Sequence, residues 1–169
     1  MKSFLAELKK RNAALYYFGW LMFLRFIFSL VASLFDSRII LGINAWIKPM
    51  KFYLSITIMT WTIGWFAWYL KYEKKVKIYS WVLVLAMTIE MIIISFQAAR
   101  GQRSHFNVSS AFNALLFTIL WISITIFSAW TSYSCFLFFL HKEFDISTAS
   151  LLSIYLDLIL FVFFAFDCL

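Results

Sequence analysis

From Ala13 to Phe35 the chain carries one charge, Arg25, in a run long enough to cross a bilayer, and similar runs recur to its end. A transmembrane helix needs about 20 consecutive, mostly apolar residues. In hydrocarbon every backbone polar group must be satisfied internally, so such a run becomes a helix or part of a closed barrel. Barrel strands alternate over segments of about ten residues, and no such alternation occurs here. The expected fold class is therefore all-α, a polytopic integral membrane protein. Of the 169 residues, 64% are hydrophobic, well above the roughly 45–50% of soluble domains.

The runs predict about five transmembrane helices, at approximately 13–35, 50–70, 78–98, 111–135 and 148–168. Residues 1–12 are short and basic, with Lys2, Lys9, Lys10 and Arg11 against Glu7. No small-residue cleavage site follows the first run, which argues for an uncleaved span and against a signal peptide. Asp36–Lys51 is amphipathic and expected at the interface, with Trp46 at headgroup depth and Pro49 in the first turn of the second span. Thr57, Thr60 and Gly64 form a small-residue stripe on that span. Lys71–Lys77 is expected to be a tight basic turn, and Thr118, Thr125, Ala129 and Ser132 a packing seam on span four. One proline and four glycines leave no flexible linker, so residues 1–169 are expected to form a single transmembrane domain.

The net charge of +7 comes from cations clustered at the ends of the apolar runs, where they anchor helices and set orientation. Nucleic-acid binding needs a basic face on a solvent-exposed domain, and none is present, so nucleic acid is not expected as a partner. With the N-terminus inside, nine cations fall on inner segments against five on outer ones. The expected topology places the N-terminus in the cytoplasm. Lys48, Lys51, Arg100, Arg103 and His105 then share one side of the membrane, brought there by spans two and three. These residues can converge.

The segment Glu90–Asn113 concentrates the chemistry. Gln97, Arg100, Arg103, His105 and Asn107 fall close together around Gly101. Guanidinium groups bind phosphate or carboxylate bidentately, and the helix start near Pro49 adds a favourable dipole. An anionic lipid headgroup or small anion is the natural ligand. Lys48, Lys51, Arg100 and Arg103 would supply charge, while Gln97, His105 and Asn107 would orient. Ordinary headgroup anchoring by snorkelling side chains is the plainer alternative.

Three charges fall inside spans: Arg25, Glu90 and Asp157. Charge at the bilayer centre costs at least about 2.5–3.5 kcal/mol, so such residues pair or line a cavity. The simplest expectation is an ion pair of Arg25 with Glu90 or Asp157 that fixes helix register, ahead of a proton or ion path. Arg25, Ser29 and Asp36 share one face of the first span. His105 lacks partners for haem or metal ligation, and His141 is expected on the opposite side. Cys135 and Cys168 lie in apolar surroundings without a metal or redox spacing. No cofactor is expected. No serine sits in a Gly-x-Ser-x-Gly setting, and an enzyme is the less favoured reading.

Two strings, NAWIKPMKFYLS (Asn44–Ser55) and EMIIISFQAARGQRSHFN (Glu90–Asn107), resemble an uncharacterised family of bacterial multi-pass membrane proteins. Its pattern is approximately W-x-K-P-x-K-F, then E…Q-A-x-R-G-x-x-S-H-F-N. Trp46, Lys48, Pro49, Lys51, Phe52, Glu90, Gln97, Ala98, Arg100, Gly101, Ser104, His105, Phe106 and Asn107 match it. The resemblance implies a bacterial inner-membrane protein but supplies no mechanism. It also implies a short or truncated form, because members with the motif tend to be longer. The functional expectation is a binding or transport component for an anion or anionic lipid at a non-cytoplasmic basic site. The alternative is a structural or assembly subunit that meets a membrane protein partner or further copies of itself.

Overall fold

The computed structural model describes residues 4–70 and 72–140, together with residues 151, 152, 155, 156 and 159. The described chain is helical apart from one small hairpin. In order it forms α1 (Phe4–Arg11), α2 (Ala13–Phe35), β1 (Ile39–Ile40), β2 (Ile43–Asn44), α3 (Ile47–Phe66), a 3-10 turn (Ala67–Tyr69), α4 (Glu73–Ala99) and α5 (Ala111–Leu140). Three helices are long and apolar enough to cross a membrane: Ala13–Phe35, Glu73–Ala99 and Ala111–Leu137. The expected second span falls on α3, a helix that is not among the three, because its N-terminal lysines and its threonines dilute its apolar content. The expected span at 148–168 lies outside the continuously described residues.

Asn12 ends one helix and starts the next. Its side-chain oxygen accepts the Leu15 N–H at 3.1 Å, the N-cap that α2 needs. Its amide nitrogen donates to Ser80 on α4 at 2.7 Å. Ahead of it α1 buries Leu8 completely, and Arg11 lies 3.9 Å from the Trp65 ring. The connection after α2, expected at the interface, folds as a hairpin with a two-residue turn. Leu41 and Gly42 both take positive φ, 52° and 81°, as the right-handed twist of a tight hairpin requires. Ile39 pairs with Asn44 and Ile40 with Ile43. Pro49 falls in the first turn of α3, as expected, where its missing N–H leaves no hydrogen bond unmade.

The small-residue stripe of α3 faces inward, as expected. Thr57, Thr60 and Gly64 are buried, and Thr57 donates to the Gly19 carbonyl of α2 at 3.4 Å. A Cβ on Gly64 would meet Leu15 Cβ at 3.3 Å, so a larger residue there would push α2 away. The main core gathers Leu15, Phe18 and Met22 with Tyr53 and Ile56, then Leu83, Met87, Met91 and Ile94, and Phe127 from α5.

Two sequence expectations are corrected. Most of the predicted basic turn is the first turn of α4, which starts at Glu73; its carboxylate is favourable beside the helix N-terminus. The α5 seam also lies elsewhere. Its inward face carries Leu120, Ser123, Phe127, Thr131 and Ser134, while Thr118 and Ala129 are exposed. The hydroxyls of Thr118, Thr125 and Ser132 each bond to a carbonyl one turn back on their own helix. They are satisfied without a neighbour, so nothing drives them inward.

Candidate functional site

The hairpin end of the bundle is built around Asp36. Its carboxylate accepts from Arg38 Nε at 2.9 Å and from Trp46 Nε1 at 2.7 Å. Those hydrogen bonds, Arg38 first, hold Asp36 well below the usual carboxylate range. Arg38 also donates to the Ala99 carbonyl at 2.6 Å, placing a cation on the last turn of α4. Asn44 accepts the Trp46 N–H at 2.9 Å and donates to the Ser33 carbonyl at 3.2 Å. The hairpin is thereby fixed to both α2 and α4. Asp36 therefore works at the end of α2 and not on an inward face with Arg25, as its spacing had suggested.

On α4 the helix end is set by Gly101, at φ 67°. Gln102 N–H bonds to the Gln97 carbonyl at 2.9 Å and Gly101 N–H to the Ala98 carbonyl at 3.0 Å. This is the Schellman arrangement, which favours glycine at the left-handed position. It turns the chain back so that Ser104 and His105 face the start of α3. Lys48 Nζ lies 3.1 Å from His105 Nδ1, and Ser104 Oγ lies 2.9 Å from the same nitrogen. Two donors converge on Nδ1, which assigns the ring proton to Nε2. Burial, and then the Lys48 charge, push the His105 pKa down to about 4. The imidazole is thus neutral at pH 7.

The expected convergence is therefore partial. Lys48, Arg103 and His105 line one small open cleft, with Gln102 and Ser104 and with the hairpin as its opposite wall. Lys51 is exposed and outside the cleft. Arg100 is turned away: it donates to Gln97 Oε1 at 3.0 Å and Asn113 Oδ1 at 3.2 Å, with the Phe96 and Phe112 rings 5.3 and 5.1 Å from it. Gln97 is fully buried and gives its amide to Asn113 at 3.1 Å. Asn107 is buried as well, donating to the Arg103 carbonyl at 3.1 Å and accepting from Ser109. Gln97, Arg100 and Asn107 are thus occupied in holding α4, α5 and their loop together. Asn113 was missed in the sequence because its position after the loop gives no periodic signal.

Of the two pairs expected for Arg25, the one with Glu90 does not form. Glu90 is buried at 6% exposure, while Arg25 faces outward, and Arg25 has no ion pair among the described residues. Glu90 sits one helical turn from Ile94, which lines the cleft, and so lies about 6 Å further along α4. Asp157 lies outside the described residues. No family model, curated protein or solved structure matches the chain.

Proposed function

We propose that this protein binds an anionic group, a lipid headgroup or small anion, in the cleft between the start of α3 and the loop after α4. The observation that carries the reading is the Lys48–His105 contact, which joins residues 57 positions apart. It leaves an ammonium, the exposed Arg103 guanidinium and a neutral imidazole N–H around one opening. Three kinds of donor with no acceptor charge at the mouth suit phosphate or carboxylate. Arg100 and Asn107 belong to the scaffold in this reading, and Lys48, Arg103 and His105 bind.

The wider setting proposed is a bacterial inner membrane, with α3 and the apolar stretch 148–168 completing about five crossings and the N-terminus in the cytoplasm. The meeting of the W-x-K-P-x-K-F and S-H-F-N segments at one cleft supports membership of the family that the sequence resembles. The test is native mass spectrometry of detergent-purified protein with phosphatidylglycerol or inorganic phosphate. Lys48→Ala and Arg103→Ala should each hold one bound anion fewer than the wild type, and Arg100→Ala should hold as many. An unchanged number in both of the first two variants refutes the cleft.

A second reading is favoured by Arg25. It lies near the middle of α2, exposed among apolar side chains, and a mid-membrane charge calls for a partner. An assembly subunit would supply that partner's site. Arg25→Gln should then shift the size of the native complex while leaving the anion adduct intact. A neutral His105 with a pKa near 4 is poorly matched to general acid–base work at pH 7, which leaves an enzyme as the least supported reading.

A further inference from the structure

At the opposite end of the bundle, α1, the 3-10 turn and the start of α4 surround a wide, open cleft. It exists because Ala13 and Ala14 bring no bulk to the α2 wall. The Asn12–Ser80 hydrogen bond closes its floor, so those two polar groups need no ligand. Trp68 and Trp81 face it with 56% and 58% of their surface exposed. Trp81 lies eight residues into α4, about 12 Å from its start, within the zone where tryptophan marks a membrane boundary.

The charge at the mouth is lopsided. Arg11 and Lys77 line it against Glu73, and Lys9, Lys10, Lys74 and Lys75 lie on the same end of the bundle with Glu7 as the other acid. Arg11 is held rigidly: it lies over Trp65 and bonds to Glu7 Oε1 at 3.3 Å. Lys77 is exposed and has no ion pair among the described residues. Cations above, exposed indoles beside and small apolar residues below match an anionic amphiphile.

We propose that this second cleft holds one anionic phospholipid. Its phosphate meets Lys77 and Arg11, and an acyl chain lies along Trp68 and Trp81 against Ala13 and Ala14. The occupant is a lipid and not a free phosphate because most of the wall is apolar and aromatic.

The experiment is native mass spectrometry of delipidated full-length protein offered phosphatidylglycerol and phosphatidylcholine at equal concentration. A Lys48→Ala background silences the cleft at the other end, so that the two sites are read separately. Phosphatidylglycerol should be retained preferentially. Lys77→Gln should lower its retention about fivefold, the effect of one cation near a membrane surface, and Lys77→Arg should restore it. Trp81→Ala should lower retention of both lipids. Equal retention of the two lipids, or wild-type behaviour of either Lys77→Gln or Trp81→Ala, overturns the proposal. Both side chains are exposed, so unfolding temperatures should match the parent and certify the comparison.

Discussion

Lys48 Nζ and His105 Nδ1 lie 3.1 Å apart, and this contact joins the first turn of α3 to the loop that follows α4. Because Ser104 also bonds to that nitrogen, the ring is held from two sides, with its Nε2–H left for another acceptor. The pair places the cleft's charge and its neutral donor at a fixed separation. What the cleft can bind depends on both.

The His105 pKa gives a pH dependence of stability. The folded value, about 4, lies below the ordinary value of 6.5, so the unfolded chain takes up a proton first as pH falls. By linkage, stability is full above about pH 6.5 and declines between there and about pH 4. After allowance for the partial solvent access of the ring, the loss should be about 1–2 kcal/mol. Thermal unfolding in detergent from pH 7.5 to 4.5 measures it. His105→Gln should flatten the curve in that window, and an unchanged slope would exclude His105 as its source.

Asn113→Ala should destabilise the bundle by about 1–3 kcal/mol, because the buried Gln97 amide loses its acceptor. Arg100→Ala should act in the same direction but leave anion retention in place, since its guanidinium is turned to Gln97 and Asn113. Unfolding temperature and adduct retention, measured on the same samples, separate the two effects. Loss of the adduct without loss of stability in Arg100→Ala would place that arginine back in the binding site.

Gly101→Ala should cost about 1 kcal/mol, the penalty for a Cβ in the left-handed conformation. No atom within 4 Å would meet the added methyl, so the effect is conformational and not steric. Gly19→Ala is the opposite case. Its Cβ would fall 2.1 Å from Trp61 Nε1, forcing the indole off the Tyr16 carbonyl that it reaches at 3.4 Å. A loss of about 1–3 kcal/mol is expected from such overpacking, together with a changed near-ultraviolet circular dichroism spectrum. Gly101→Ala should leave that spectrum alone.

Asp36→Asn should loosen the hairpin without touching the cleft's donors. The carboxylate holds Arg38 and Trp46, and Arg38 in turn closes the end of α4. The ion pair is open to solvent, which screens it, so global stability should change little. Hydrogen exchange should quicken over residues 38–46, with weaker anion retention through the displaced wall. Unaltered exchange there would show that the backbone pairing alone sustains the hairpin.

Much of this protein was legible in the residue order. The long apolar helices, the Pro49 start, the inward Thr57–Gly64 stripe and the approach of Lys48 to His105 follow from hydropathy, chain length and local backbone chemistry. Each depends on the solvent or on residues within a turn or two. The rest required the tertiary structure, because it rests on distances between residues far apart in sequence. Arg100 and Arg103 read alike in the chain, yet Phe96, Phe112 and Asn113 claim the first and leave the second at the cleft. Glu90 does not pair with Arg25 because Glu90 lies on the buried side of α4, whereas Arg25 lies on the outer side of α2. Sequence alone determined that these charges sit on or beside long apolar helices; only the packing of helices decided which of them are held by neighbours and which remain open, because that depends on contacts between residues far apart in the chain.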